Sequence, residues 1–232
     1  MRVFIIAALS LVFIAGQAVA EEKKQMSEKE KISYSVGYTQ GSGMAGFFKT
    51  QSVELDTNTV EDGFKAGLSG AKPVLTEDEM HQTLSELQKK IAAKQAEGVK
   101  EAAEKNKKAG EAFLAENKKK EGIVTLPDGL QYKVLKEGAG KTPKATDKVK
   151  VNYRGTLIDG KEFDSSYKRG EPATFQVNAV IPGWTESLQL MKVGSKWEVF
   201  IPSGLAYGAR GAGQMIGPDS TLIFEIELLS IE

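Results

Sequence analysis

The sequence predicts an α+β protein: a helical N-terminal half, a long connecting helix, then a bent antiparallel sheet packed on one short helix. Three observations carry this. From Leu130 onward, short runs of alternating apolar and polar residues are separated by glycine and proline turns. From Thr76 to Lys119 no proline interrupts a charged, alanine-rich stretch. Between the alternating runs, Val180-Ile181-Pro182-Gly183-Trp184 turns the chain, and Thr185-Glu186-Ser187-Leu188-Gln189-Leu190-Met191 reads as the short helix.

At 232 residues the chain is long enough for two modest domains. Acidic and basic residues are equal at 31 each, so no net field draws it to nucleic acid or anionic lipid. The absence of cysteine excludes disulfides, thiol catalysis, thiolate metal sites and N-terminal lipoprotein acylation. Residues 1–20 read as an export segment. Arg2 is its positive start, and Val3 to Ala15 is an apolar run shorter than the roughly 20 residues of a spanning helix. Ala18-Val19-Ala20 is a cleavage site, with maturation expected at Glu21. The alternative is an uncleaved anchor.

The helical region takes residues 21–75. Ser27 opens a helix to about Gln51, with Glu30 completing a capping box. Ile32, Val36, Met44, Phe47 and Phe48 are its apolar positions. Gly37, Gly41, Gly43 and Gly46 each cost about 1 kcal/mol against alanine inside a helix, which suits close helix–helix approach; the alternative is a frayed helix. Asp56 or Thr57 starts a second helix with Val60, Phe64, Ala66, Gly67 and Leu68 as buried candidates and Gly70 as its stop. Two short helices cannot bury a stable core alone, so they need a partner.

Residues 76–121 are the connecting helix, opened by Thr76-Glu77-Asp78-Glu79 as a second capping box. At 1.5 Å per residue it would extend roughly 65 Å. Its acidic start and basic end complement the helix dipole. Glu86–Lys90, Glu101–Lys105 and Glu104–Lys108 are expected i,i+4 pairs. Met80, Leu84, Leu87 and Ile91 form a packing stripe, whereas Ala92 to Ala112 buries little and reads as an exposed stalk rather than a coiled coil. Phe113 and Leu114 are late contacts, and Gly98 and Gly110 are the expected points of bending.

The C-terminal domain takes residues 122–232. Strands are expected at 130–135, 147–157, 161–164, 173–177, 195–201 and 221–231. Four motifs fall among them: Val151-Asn152-Tyr153-Arg154-Gly155, Gly160-Lys161-Glu162-Phe163-Asp164-Ser165-Ser166, the Val180–Trp184 turn, and Gly204-Leu205-Ala206-Tyr207-Gly208. In order, spacing and residue type, residues 126–232 resemble the FK506-binding-protein (FKBP) family of peptidyl-prolyl cis-trans isomerases. With its helical N-terminal half the whole chain resembles the macrophage-infectivity-potentiator type. That resemblance implies an exported enzyme of the periplasm, outer membrane or cell surface. It also implies a homodimer through the N-terminal helices, no cofactor and no metal. Proline-containing unfolded or folding polypeptides would be its partners, and FK506- or rapamycin-like macrolides its inhibitors.

By the same resemblance, Tyr153, Phe163, Phe175, Val180, Ile181, Trp184, Ile216 and Phe224 bind the proline. Tyr207 donates to a substrate carbonyl. Asp164, partnered by Tyr153 and Arg169, acts on the amide carbonyl carbon or is purely structural. Ala173 stands where the family often has an aromatic wall, and Ala212, Gly213 and Gln214 where others carry bulkier residues, which bears on sequence preference around proline. The chemistry asks for no nucleophile or metal. Rotation about the peptide bond faces about 18–20 kcal/mol of lost resonance, and the twisted amide is less dipolar than the planar one, so a dry apolar cleft favours it. Gly208 to Gly213 is glycine-rich but opens no helix, which argues against a phosphate site. His81, the single histidine, reads as a solvated helix residue. Two other functions stand beside catalysis: a non-catalytic chaperone, and a surface adhesion or virulence factor that uses the same fold to bind.

Overall fold

The computed structural model describes residues 26–232. The candidate export segment and its cleavage site lie outside the described residues. The chain divides between Thr76 and Glu77 into two compact units.

In the N-terminal unit, α1 spans Glu28–Thr50 and α2 spans Thr57–Ser69. The capping box forms as expected: Glu30 N–H donates to Ser27 Oγ at 3.3 Å and Ser27 N–H to Glu30 Oε2 at 2.8 Å. Asp56 caps α2 by accepting from Thr59 N–H at 2.7 Å, and Gly70 ends it in the left-handed conformation. Helix α1 runs unbroken through its four glycines, and apart from the helix's own local backbone no atom stands within 4 Å of where their Cβ atoms would be. Neither helix contains a buried residue, and Ile32, Val36, Phe47, Phe64 and Leu68 are all exposed. Among the described residues no helix is long and apolar enough to cross a membrane.

The C-terminal unit opens with α3, Glu77–Asn117. None of the three expected i,i+4 ion pairs closes among the described residues; Glu86 accepts instead from Gln82 at 3.3 Å. His81 is exposed, as read. The stalk reading fails at its C-terminal end. From Asn106 onward the helix lies on the sheet domain, with Phe113 5.9 Å from Phe200 and Asn117 fully buried. Asn117 Nδ2 donates to Gln131 Oε1, and Gln131 Nε2 to the Leu114 carbonyl, both at 3.0 Å. Gly110 serves close approach: a Cβ there would stand 2.2 Å from Thr221 Oγ1. Phe113 is the late contact expected from the sequence; the rest of this contact is made by hydrogen bonds and a missing side chain, which the hydrophobic pattern does not announce.

Seven strands form one antiparallel sheet: β1 Ile123–Thr125, β2 Gln131–Lys136, β3 Lys148–Leu157, β4 Glu162–Ser165, β5 Ala173–Gln176, β6 Lys196–Ile201 and β7 Leu222–Ile231. The order is β1-β2-β6-β7-β3-β4, with β5 also paired to β3. The ten residues of β3 pair with β5 near their start and with β4 near their end. In the gap between those pairings, Tyr153 N–H donates to Ser166 Oγ at 2.9 Å. Ser166 opens α4, Ser166–Arg169, which was not expected; α5 is the expected helix, Pro182–Leu190. Its Leu188 packs with Leu130, Val149, Val151, Val199, Ile201, Leu222, Ile226 and Leu228, all fully buried on one face of the sheet.

Candidate functional site

The sheet curves around an open cavity of about 670 Å³. Trp184 forms its floor because Pro182, at the first turn of α5, delivers the indole directly from the turn into the core. The indole is 4 % exposed and receives three aromatic neighbours nearly at right angles: Tyr153 at 5.2 Å, Phe224 at 5.2 Å and Phe175 at 5.6 Å between ring centroids. Edge-to-face contact of this kind fixes ring orientation as well as excluding water. Phe163 completes the group, edge-on to Phe224 at 5.5 Å. Gly155 makes that possible, since a Cβ there would sit 2.6 Å from Phe163 and 2.7 Å from Phe224.

All ten residues singled out from the sequence line this one cavity: Tyr153, Phe163, Asp164, Phe175, Val180, Ile181, Trp184, Tyr207, Ile216 and Phe224. Ala212, Gly213 and Gln214 line it as well, joined by Ala179 and Met215, which sequence reasoning missed. Ala173 does not line it; it packs half-buried beside the core, so it shapes no outer wall. Gly155 was quoted in a motif without a role, and its spacing two residues after an aromatic within a strand is the signal that could have assigned one.

Asp164 lies on the rim in a closed polar network. Tyr153 Oη donates to Oδ2 at 2.5 Å, Ser165 N–H donates to Oδ1 at 2.8 Å, and Arg169 Nη1 also donates to Oδ1. Arg169 Nη2 closes the ring onto Tyr153 Oη at 2.7 Å, its guanidinium 5.2 Å from the Tyr153 ring centroid. Partial burial alone would raise the Asp164 pKa, but the bonds from Tyr153 and Arg169 outweigh it and hold the carboxyl below its ordinary value. Burial, then the bond to Asp164, pushes the Tyr153 hydroxyl up. Asp164 is therefore an ionised, fully engaged carboxylate and a poor proton acceptor. Tyr207 contrasts with it. It lines the same cavity at 41 % exposure, and its hydroxyl makes no hydrogen bond among the described residues. No group of three or more metal-ligating side chains occurs among the described residues.

The arrangement can hold a flat apolar ring over Trp184, with the free Tyr207 phenol and the charged Asp164 carboxylate both lining the same cavity. Two family models match the chain. Residues 139–229 match the FKBP-type peptidyl-prolyl cis-trans isomerase, and residues 29–134 the domain amino-terminal to it. An outer membrane protein MIP of Legionella longbeachae is 47% identical over 232 residues, 100% of this chain and 98% of that protein. A peptidyl-prolyl cis-trans isomerase Mip of Coxiella burnetii is 41% identical over 100% of this chain and 99% of that protein. Among solved structures, FkpA from Escherichia coli superposes with a TM-score of 0.72 at 37% identity, covering 89% of this chain and 97% of that one.

Proposed function

This chain belongs to the FKBP-type peptidyl-prolyl cis-trans isomerases, and we propose that its isomerase site is the cavity above Trp184. The observation that carries the proposal is the enclosure of one indole by three aromatic rings set nearly at right angles to it, at the base of a mostly apolar cavity. A substrate proline ring stacks on the indole. The preceding amide then lies between the walls, in a medium that solvates its planar, dipolar form poorly. As the C–N bond twists, resonance and dipole are lost together, and the apolar cavity favours the twisted state over water. The Tyr207 hydroxyl donates to a substrate carbonyl and holds the chain on one side of the twisting bond. Asp164, locked by Tyr153 and Arg169, offers fixed negative charge to the carbonyl carbon and takes no proton.

The substrates are proline-containing polypeptides that are unfolded or still folding, for which uncatalysed isomerisation takes tens of seconds. The exposed apolar faces of α1 and α2 support a homodimer formed by these helices, and support chaperone binding of clients. The domain limits follow: helical dimerisation region 21–75, connecting helix 76–121, isomerase domain 122–232. Export to the periplasm or outer membrane is supported by the A-x-A signal in the sequence and by the name of the Legionella relative. The test is a protease-coupled assay on a short X-Pro peptide, repeated with an FK506-like macrolide. The expected result is accelerated isomerisation, inhibited by the macrolide in step with a change in Trp184 fluorescence. Activity that is absent, or that micromolar macrolide leaves untouched, would remove the cavity from the mechanism.

A further inference from the structure

We infer that Asn106, on the long helix α3, is a positioning residue. It anchors the loop that forms the cavity's outer wall, and through that loop sets which residues flanking proline are accepted. The inference rests on reading the cavity as the prolyl site.

The wall is the segment Ala212–Ile216, pinned as a small hairpin by two backbone bonds. Ala212 N–H donates to Ile216 O at 2.8 Å and Ile216 N–H to Ala212 O at 3.1 Å. Its tip, Gly213 to Met215, is exposed and brings almost no buried surface of its own. The position of the tip is therefore set at the feet of the loop. The two feet are tied together inside the sheet domain: the Gly208 carbonyl accepts from Gly211 N–H at 3.3 Å on the first foot and from Asp219 N–H at 2.8 Å on the second. Asp219 has a φ of 52°, a left-handed backbone uncommon outside glycine although aspartate adopts it more readily than most residues.

The second foot is held by α3 as well. Asn106 Nδ2 donates to the Pro218 carbonyl at 2.8 Å and approaches Ser220 Oγ at 3.4 Å, across 112 residues of sequence. Ser220 Oγ in turn donates to Gly217 O at 2.9 Å. No backbone N–H donates to the Pro218 carbonyl among the described residues, so the bond that satisfies it comes from Asn106. One turn further along α3, Gly110 lets the helix meet Thr221 at a distance no side chain would allow. Beyond it, the Phe113–Phe200 and Asn117–Gln131 contacts fix the helix to the sheet. A path of fixed contacts thus runs from the sheet through α3 to Pro218 and on to Ile216, which lines the cavity. The pyrrolidine ring needs only the aromatic floor; the flanking residues of a substrate lie at the rim, where this loop stands.

The test uses the full chain with Asn106→Ala, Asn106→Asp, Asn106→Gln and Ser220→Ala. One readout is kcat/KM for peptides that differ only in the residue before proline. Asn106→Ala and Asn106→Asp should compress the range of kcat/KM across the series by about threefold or more, with the melting temperature unchanged; Asn106→Gln, which keeps the donor, should restore part of it, and Ser220→Ala should do less. The second readout needs no activity: amide exchange at Ile216 and Asp219 should quicken by about tenfold in Asn106→Ala, while Leu130 and Val199 keep the wild-type rate. Unchanged exchange at Ile216 and Asp219 would overturn the anchoring. An equal loss on every peptide, accompanied by a lower melting temperature, would overturn it in favour of plain stability. A wild-type chain inactive on all peptides would instead sink the prolyl-site reading, and the exchange data would still decide whether Asn106 holds the loop.

Discussion

The two units handle apolar side chains in opposite ways. In the C-terminal unit Leu188, on a helix of nine residues, is fully buried because that helix packs into the apolar core of the seven-stranded sheet of the same chain. In the N-terminal unit Leu68 sits on a helix of 13 residues at 77 % exposure, and nothing in α1 or α2 is buried at all. Caps and periodicity are as good in α2 as in α5, so local helix signals do not separate the cases. What separates them is the availability of a covering surface within one chain. The C-terminal unit completes its own core; the N-terminal helices leave their apolar residues exposed, as the proposed homodimer requires.

The largest effect should come from carving the same atoms out of both places. Leu188→Ala should destabilise the C-terminal unit by about 2–5 kcal/mol in thermal unfolding. Leu68→Ala should change that transition by less than about 0.5 kcal/mol, and should instead weaken self-association measured by analytical ultracentrifugation. Equal losses in one shared transition would erase the distinction between the units.

The next effect sharpens the boundary, because α3 carries both conditions. Gly110→Ala forces a Cβ against Thr221 and should cost about 1–3 kcal/mol. Gly98→Ala meets open space and should stabilise by up to about 1 kcal/mol through helix propensity. Denaturant titration of the two variants reads the difference. If both stabilise, the end of α3 does not belong to the isomerase unit.

Within the self-contained unit, Tyr207→Phe and Asp164→Ala should each lower kcat/KM on short peptides by about tenfold, or about 1.4 kcal/mol, with circular dichroism unchanged. The loss should be the same when Leu68 is also changed. Complete loss in a folded variant would mean chemistry beyond desolvation of the amide.

The smallest effect is one of pH. Burial, followed by hydrogen bonding and repulsion from Asp128, pushes the Glu186 carboxyl from an ordinary 4.5 up to about 7. The folded state then holds a proton that the unfolded state releases. This contribution is present below about 4.5 and lost as pH rises through 7. Solvent screening reduces it to about 1 kcal/mol. Asp164 has the opposite sign, stabilising above its ordinary value and losing this as pH falls through its lowered one. Glu186→Gln should flatten the stability profile between pH 4.5 and 7; an unchanged slope would show that Glu186 carries no such shift.

How much of this was legible from the residues follows from the kind of interaction that made each part. The long strands β3 and β7 are visible because they alternate, and the aromatic floor because proline and glycine position Trp184 at a helix start. The strand β1 is too short to alternate. The helix α4 is set by the Ser165 cap and Gly170, not by a pattern of its own. Asn106, Gly110 and Asn117 look like residues of a solvated helix, since neither amides nor a missing methyl group register as hydrophobicity. The inner cavity was readable for the same reason that its outer anchor was not: aromatic rings advertise burial, and hydrogen bonds to a distant carbonyl do not.

The borders of the sheet carry a consequence for a protein that handles unfinished chains. On one side the outermost strand, β1, is only three residues long; on the other, β4 and β5 are four residues each and divide the length of β3 between them. No long row of unpaired N–H and C=O groups is therefore offered along either margin. An extended client, itself rich in unsatisfied backbone, finds no template on which to zip into the sheet and be retained. It can engage through its side chains at the cavity and leave again, which keeps an isomerase from becoming the seed of an aggregate.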